Sequence, residues 1–209
     1  METRKIIILA SASPRRQELL RNLGLPFIVR PSHADEHVDD GRKPAEVVEL
    51  LAERKAAEVA GLYEEGLIIG SDTIVVLDGE ILGKPGGEDE AYAMLSKLSG
   101  REHSVFSGLA VIDALSGEKR IGYMETKVKM RPITEKEIND YIKTKEPMDK
   151  AGSYAIQGLG SLFITGIQGD YFSVVGLPIR LLAEYLQGFG VDILGEKVKQ
   201  TFVEHTQRN

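Results

Sequence analysis

The chain contains no cysteine. That excludes a disulfide framework and any cysteine–zinc site, and it suits a protein of the cytosol. Positive charge is not in excess either: 26 Lys and Arg stand against 32 Asp and Glu, for a net charge of −6. Such a chain as a whole is not built to lie along a nucleic-acid backbone, and no basic patch interleaved with aromatic residues offsets this. A polyphosphate remains within reach if the few cations converge. No apolar run approaches membrane length, and Met1 to Leu9 lacks the separate apolar segment and small-residue cleavage site of an export signal. Internal repeats and low-complexity segments are also missing. The expectation is a soluble cytoplasmic protein with no membrane partner.

What is present is enough apolar residue for a true core, 42% of 209 residues. That length fits one α/β domain spanning residues 1–209, large or built as two closely packed lobes. The stretch around which the rest is arranged is Lys5 to Arg16 (KIIILASASPRR). Ile6 to Leu9 read as a short buried strand. A small-residue loop follows and opens a helix, with Ser13 at the N-cap, Pro14 in the first turn and Gly24 at the end. A helix N-terminus carries free N–H groups and partial positive charge. With Ser11, Ser13, Arg15 and Arg16 beside it, this end is a complete anion site of the phosphate-binding kind, or else an ordinary capped helix with solvated arginines. Arg16 shares a face with Leu19, Leu20 and Leu23, which turns it toward the packed side.

Pro26 to Pro31 reads as a short strand, and the polar, acidic stretch Ser32 to Lys43 as a surface loop. Glu36 is set apart because it follows a strand and can reach back to a site at the strand end. Pro44 to Ala60 is a helix in which Val48, Leu51, Ala52, Lys55 and Val59 share one face. An inward lysine is costly unless it meets an anion; the other reading is that Lys55 snorkels out at the stripe's edge. Leu67 to Leu77 (LIIGSDTIVVL) is a near-continuous apolar strand, as in a sheet covered on both faces. Asp72 in its middle must be paired, hydrogen-bonded or metal-bound. Asp78-Gly79 is a hairpin turn, and the return arm Glu80 to Pro85 carries Lys84 back to the level of Asp72, so the two are expected to be cross-strand neighbours. They form either a structural ion pair or a carboxylate for metal or water with a lysine for phosphate.

Further along, Glu88 to Leu98 is an amphipathic helix. His103 to Leu115 and Gly122 to Arg131 are antiparallel strands, and His103 reads as a strand-end polar residue. Thr134 and Glu137 form a capping box for a helix to about Thr144. Glu146 to Gly160 (EPMDKAGSYAIQGLG) is a loop of small and polar residues, the kind of segment that carries sites. Gln157 lies in it beside Gly158 and Gly160, and Asp149 and Lys150 can join a polar network. Ser161 to Ile167 reads as a strand, and Gly176 to Gln187 as a helix with Pro178 in its first turn.

Taken in order, LASASPRRQELL (9–20), Asp35-Glu36, Lys55-Ala56, Ser71-Asp72-Thr73, Gly83-Lys84-Pro85, KAGSYAIQG (150–158) and VVGLP (174–178) resemble the Maf family of nucleoside triphosphate pyrophosphatases over roughly residues 5 to 188. The resemblance implies an α/β fold with a mixed, bent β-sheet, surrounding helices and a nucleotide cleft between two lobes. It implies hydrolysis of a nucleoside triphosphate between the α- and β-phosphates to a monophosphate and pyrophosphate. A divalent metal, Mg²⁺ or Mn²⁺, and a house-cleaning role in the cytoplasm are implied with it, and homodimers are common in the family. Arg15, Thr73 and Gln157 match the specificity positions of the subgroup acting on dTTP and UTP, and Asp72 matches the proton acceptor. Ser11, Arg16, Glu36, Lys55, Lys84 and Asp149 match the family's polar cluster. The family's other subgroup prefers 7-methyl-GTP, and Thr73 and Gln157 argue against it. A non-catalytic nucleotide-binding regulator of septum formation would not need the intact acid and lysine set.

The chemistry of these side chains is consistent with that assignment. Arg15, Arg16, Lys55, Lys84 and a helix N-terminus can together hold a triphosphate, and phosphoryl transfer needs positioning and charge stabilisation above all. Asp72 is expected to activate or orient water, directly or through metal, and Glu36 to help hold the metal. Gln157, both donor and acceptor, can read a pyrimidine edge.

Overall fold

The computed structural model describes residues 5–39 and 41–195; Asp40 of the acidic loop lies outside them. Its spine is the strand read from the apolar run, β3 (Leu67–Leu77). One edge of β3 pairs antiparallel along nearly its full length with β5 (Glu102–Asp113), which pairs in turn with β6 (Lys119–Met130), and β6 with β7 (Ile164–Gln168). The other edge is shared. β1 (Ile7–Leu9) pairs parallel with Leu67 to Ile69, and β4 (Glu80–Leu82) pairs antiparallel with Val75 to Leu77. β2 (Ile28–Val29) lies beyond β1 and completes a seven-stranded mixed sheet. Between Ile69 and Val75 no described strand covers this edge of β3, and Asp72 and Thr73 sit in that gap.

Alternation along β3 sends successive side chains to opposite faces. Leu67, Ile69, Val75 and Leu77 enter the larger core, packed with residues of α1 (Pro14–Asn22), α3 (Glu88–Leu98), α4 (Glu135–Lys143) and α6 (Ile179–Gly188). Ile68, Ile74 and Val76 face α2 (Pro44–Ala60). Thr73 and Ser71 therefore belong to one face, and Asp72 to the face under α2. The helix comes very close to the sheet here. A Cβ on Gly70 would stand 2.2 Å from the Ala52 carbonyl oxygen, and one on Gly108 2.1 Å from that of Val48. Two strand glycines, flanking Asp72 along β3 and across to β5, thus let α2 descend until Lys55 reaches Asp72.

Four sequence expectations change. The β3–β4 ladder ends at Val75–Leu82, so Asp72 and Lys84 are not cross-strand partners; Asp72 is registered with Gly108 of β5. The strand at 26–31 contracts to Ile28–Val29. Residues 158–163 form a 3-10 turn, closed by the Ser161 hydroxyl on the Gly158 carbonyl, and β7 starts only at Ile164. The last helix starts at Ile179, preceded by a separate short helix, α5 (Tyr171–Val175). Gly176, at φ +127°, breaks the two apart, and Pro178 has no N–H to continue an earlier turn.

Candidate active site

The gap in the edge of β3 opens into a cleft of about 440 Å³. Ser11, Arg15 and Arg16 reach it from the loop after β1 and the first turn of α1, with Glu36 from the acidic loop and Lys55 from α2. Asp72 and Thr73 come from β3, Lys84 from the segment after β4, and Asp149, Lys150 and Gln157 from the loop after α4. His103 is not among the lining residues.

On the α2 side of β3, Lys55 Nζ lies 2.6 Å from Asp72 Oδ1 and 2.5 Å from Glu36 Oε1. The inward-lysine reading therefore holds, and it holds because the sheet supplies the anion. Lys55 and Asp72 are largely buried, with side-chain exposures of 12% and 14%, while Glu36 stays open at 55%. The hydrogen bond from Lys55 pulls the Glu36 carboxyl below the ordinary carboxylate range, and the charges of Lys55, Lys84 and Arg16 add to this against partial desolvation. Glu36 is thus a carboxylate throughout the neutral range.

On the opposite face, Arg16 is fixed by three bonds. Nε donates to the Gly176 carbonyl (2.7 Å), Nη1 to Ser11 Oγ (3.2 Å) and Nη2 to Thr73 Oγ1 (3.3 Å). Burial lowers its pKa, and Asp72 opposes that. Of five guanidinium N–H groups, two remain for a ligand. Thr73 is oriented in turn. Ser107 Oγ donates its one proton to the Ser173 carbonyl (2.6 Å), so the 2.8 Å bond between Thr73 and Ser107 must carry the Thr73 proton. Thr73 is left an acceptor toward Arg16 and any further donor. Ser71 Oγ lies 2.8 Å from the Gly108 carbonyl oxygen and 3.0 Å from that of Gly176, and its one proton, shared between them, ties the Gly176 segment to the sheet.

The N-terminus of α1 has no acidic residue in its first turn, and Ser13 forms no side-chain cap. The positive end of the helix is thereby left to a ligand. Arg15, Lys84 and Gln157 line the cleft, and no described residue hydrogen-bonds their side chains. Asp149 is held at its rim by Lys150 Nζ (2.5 Å), which also donates to the Glu146 carbonyl (2.8 Å). Sequence reasoning missed Ser107 and the Gly176 carbonyl. No motif marks a main-chain oxygen, and Ser107 becomes visible only through its register opposite Thr73. It also missed Tyr141 and Glu146, which bond the loop bearing Gln157.

The arrangement is a strip of cations and helix N–H groups ending at two carboxylates bridged by a lysine. It suits a polyanion carrying several charges. Comparison with known proteins points the same way. A model of the family described as Maf-like protein matches residues 6–189. The chain is 56% identical over 188 residues to the dTTP/UTP pyrophosphatase of Desulforamulus reducens, covering 90% of this chain and 98% of that one. It is 49% identical to the enzyme of that name from Pelotomaculum thermopropionicum (91% and 100% covered) and 48% identical to that from Bacillus cereus (90% and 98%). With its whole cleft inside the matched span, this chain belongs to the Maf family.

Proposed function

We propose that the protein hydrolyses dTTP and UTP between the α- and β-phosphates, releasing the nucleoside monophosphate and pyrophosphate. One observation carries the chemistry: Asp72 stands at an uncovered strand edge, ion-paired to Lys55, in a cleft shared with Arg15, Arg16, Lys84 and the start of α1. The names of the relatives support the substrate class. A house-cleaning role in the cytoplasm is part of the same proposal, and among the described residues no helix is long and apolar enough to cross a membrane.

In this reading the triphosphate lies along the cations, and Asp72 accepts the proton of the attacking water. The water oxygen bonds to phosphorus as the bond to the α–β bridging oxygen breaks, and that oxygen departs with the other product. Lys84 and the two free N–H groups of Arg16 stabilise charge on the phosphates. Lys55 holds Asp72 in place in the free enzyme. Thr73 and Gln157 face the nucleoside, Thr73 as acceptor and Gln157 through its amide.

The site also fits a divalent ion. Asp72 and Glu36 converge on one cationic point, now the Lys55 ammonium, and no described group of three or more acidic or histidine side chains exists to make an all-protein cage. Asp72 and Glu36 would hold it, and carboxylate oxygens are the ligands that Mg²⁺ prefers. When bound, Mg²⁺ or Mn²⁺ supplies charge stabilisation of the phosphate oxygens.

Turnover tests the proposal. With Mg²⁺ and UTP or dTTP, the protein is expected to release pyrophosphate and no orthophosphate. Asp72→Asn keeps the shape and is expected to lose at least about 100-fold in kcat. Orthophosphate as the product, or an active Asp72→Asn enzyme, would overturn it.

A further inference from the structure

Gln157 is the cleft residue best equipped to read a base, yet no described residue hydrogen-bonds its side chain. Its aim is set by the loop that carries it. Two side chains outside the cleft hold that loop from behind. Tyr141 on α4, only 4% exposed, accepts from the Ala155 N–H (3.2 Å) and donates to Glu146 Oε1 (2.9 Å). Glu146 Oε1 also accepts from the Gly160 N–H (3.0 Å), and Oε2 from the Leu159 N–H (3.1 Å). Amides on both sides of Gln157 are therefore tied to one hydroxyl–carboxylate pair.

The local sequence is shaped around that pair. A Cβ on Gly158 would stand 2.7 Å from Glu146 Oε2, and one on Gly160 2.7 Å from the Tyr141 hydroxyl and 2.4 Å from the Ala155 carbonyl. Gly158 also takes φ +71°, a backbone region that disfavours side chains. Neither Glu146 nor Tyr141 lines the cleft. Their polar atoms are spent on the loop and on each other. An ionised carboxylate is acceptor-only, which is what two loop amides and a phenol require. A glutamine in its place would turn an NH₂ group against at least one of these donors.

The geometry points to Glu146 and Tyr141 as the positioning residues of base recognition: they lock the 155–160 loop so that Gln157 meets the nucleobase. This rests on Gln157 being the base-reading residue. The role is separable from phosphate binding, because Arg15, Arg16, Lys55 and Lys84 sit on other elements, and Lys150, the cleft cation on this loop, is held by Asp149 and the Glu146 main-chain carbonyl rather than by the Glu146 carboxylate. Loosening the loop should cost binding of the base-bearing substrate, leave a base-free polyphosphate untouched and change chemistry little.

The experiment uses the full chain with Mg²⁺ and compares wild type, Glu146→Gln, Tyr141→Phe, Gln157→Ala and the Glu146→Gln/Gln157→Ala double variant. It reads KM and kcat for UTP and the inhibition constant of inorganic tripolyphosphate. Each single variant is expected to raise KM about tenfold, with kcat and the tripolyphosphate constant within about twofold of wild type. The double variant is expected to be no worse than Gln157→Ala alone, since a loosened loop has nothing left to misplace. A tripolyphosphate constant that rises with KM, or a double variant that multiplies the single losses, overturns the assignment. A Gln157→Ala enzyme with unchanged KM shows that base reading itself lies elsewhere. A normal Glu146→Gln beside a defective Gln157→Ala removes the clamp and keeps the reader. If Glu146→Gln does not fold, Tyr141→Phe and its double variant with Gln157→Ala make the same comparison, with the same outcomes counting for and against.

Discussion

At the scale of the residue, the most consequential group outside the cleft is His103. It is 3% exposed; its Nε2 meets the Tyr154 hydroxyl at 2.7 Å, and its Nδ1 has no partner. Burial pushes its pKa down to about 4, so the folded protein holds it neutral. The unfolded chain takes up a proton near pH 6.5. Between those values the unfolded state binds more protons, so stability from this residue is complete above about pH 6.5 and falls as the pH drops toward 4. The whole window is worth about 3 kcal/mol. His103→Gln does not titrate, so its urea-unfolding free energy should fall less than that of wild type from pH 7 to 4.5. Parallel curves would sink the argument. The sequence suggested only a strand-end polar residue at 103, because its partner, Tyr154, is 51 positions away. Lys55 and Asp72 were legible for the opposite reason: each is a charge inside an apolar pattern of known period, and such a charge demands a partner.

At the scale of the element, the site depends on how closely α2 lies against β3 and β5. Gly70 and Gly108 constrain it alike, since a methyl at either meets the main chain of α2 first, and at Gly108 all three nearest atoms are main chain that cannot swing away. Gly108→Ala is expected to lift the helix, destabilise the fold by about 1–3 kcal/mol and separate Lys55 from Asp72. Activity should fall by more than the unfolded fraction explains. A variant with wild-type thermal midpoint and kcat would mean that α2 yields without cost. Helix bounds at 44–60 and 88–98 and the strand at 67–77 could be read directly, because long periodic segments carry their own signal. The β3–β4 register could not. Counting back from the Asp78-Gly79 turn assumes a ladder that continues, and this one stops after three pairs, leaving the edge of β3 open where the chemistry would be. That opening is a property of two strands being short, which no side-chain motif records.

At the scale of the whole molecule, a chain of net charge −6 gathers Arg15, Arg16, Lys55 and Lys84 into one cleft, together with the positive end of α1. Gathered cations repel each other until an anion arrives, so the free protein gives up some stability that a polyanion restores. A UTP analogue with methylene in place of the α–β bridging oxygen cannot be cleaved there and serves as the probe. At 100 times its dissociation constant it should stabilise the fold by about 2.7 kcal/mol. For a chain of this size that is a rise of roughly 5–10 °C in Tm. Uridine at the same concentration should do far less, because the base and ribose leave the cations unpaired. Raising the salt concentration should shrink the analogue's effect while changing the Tm of the free protein little, since screening weakens long-range attraction before it weakens the buried Lys55–Asp72 pair. Equal stabilisation by uridine would place the binding energy in the base-reading end of the cleft. A Tm rise indifferent to salt would show that the short bonds from Arg16 and the helix N-terminus, rather than the summed field of the cations, hold the triphosphate.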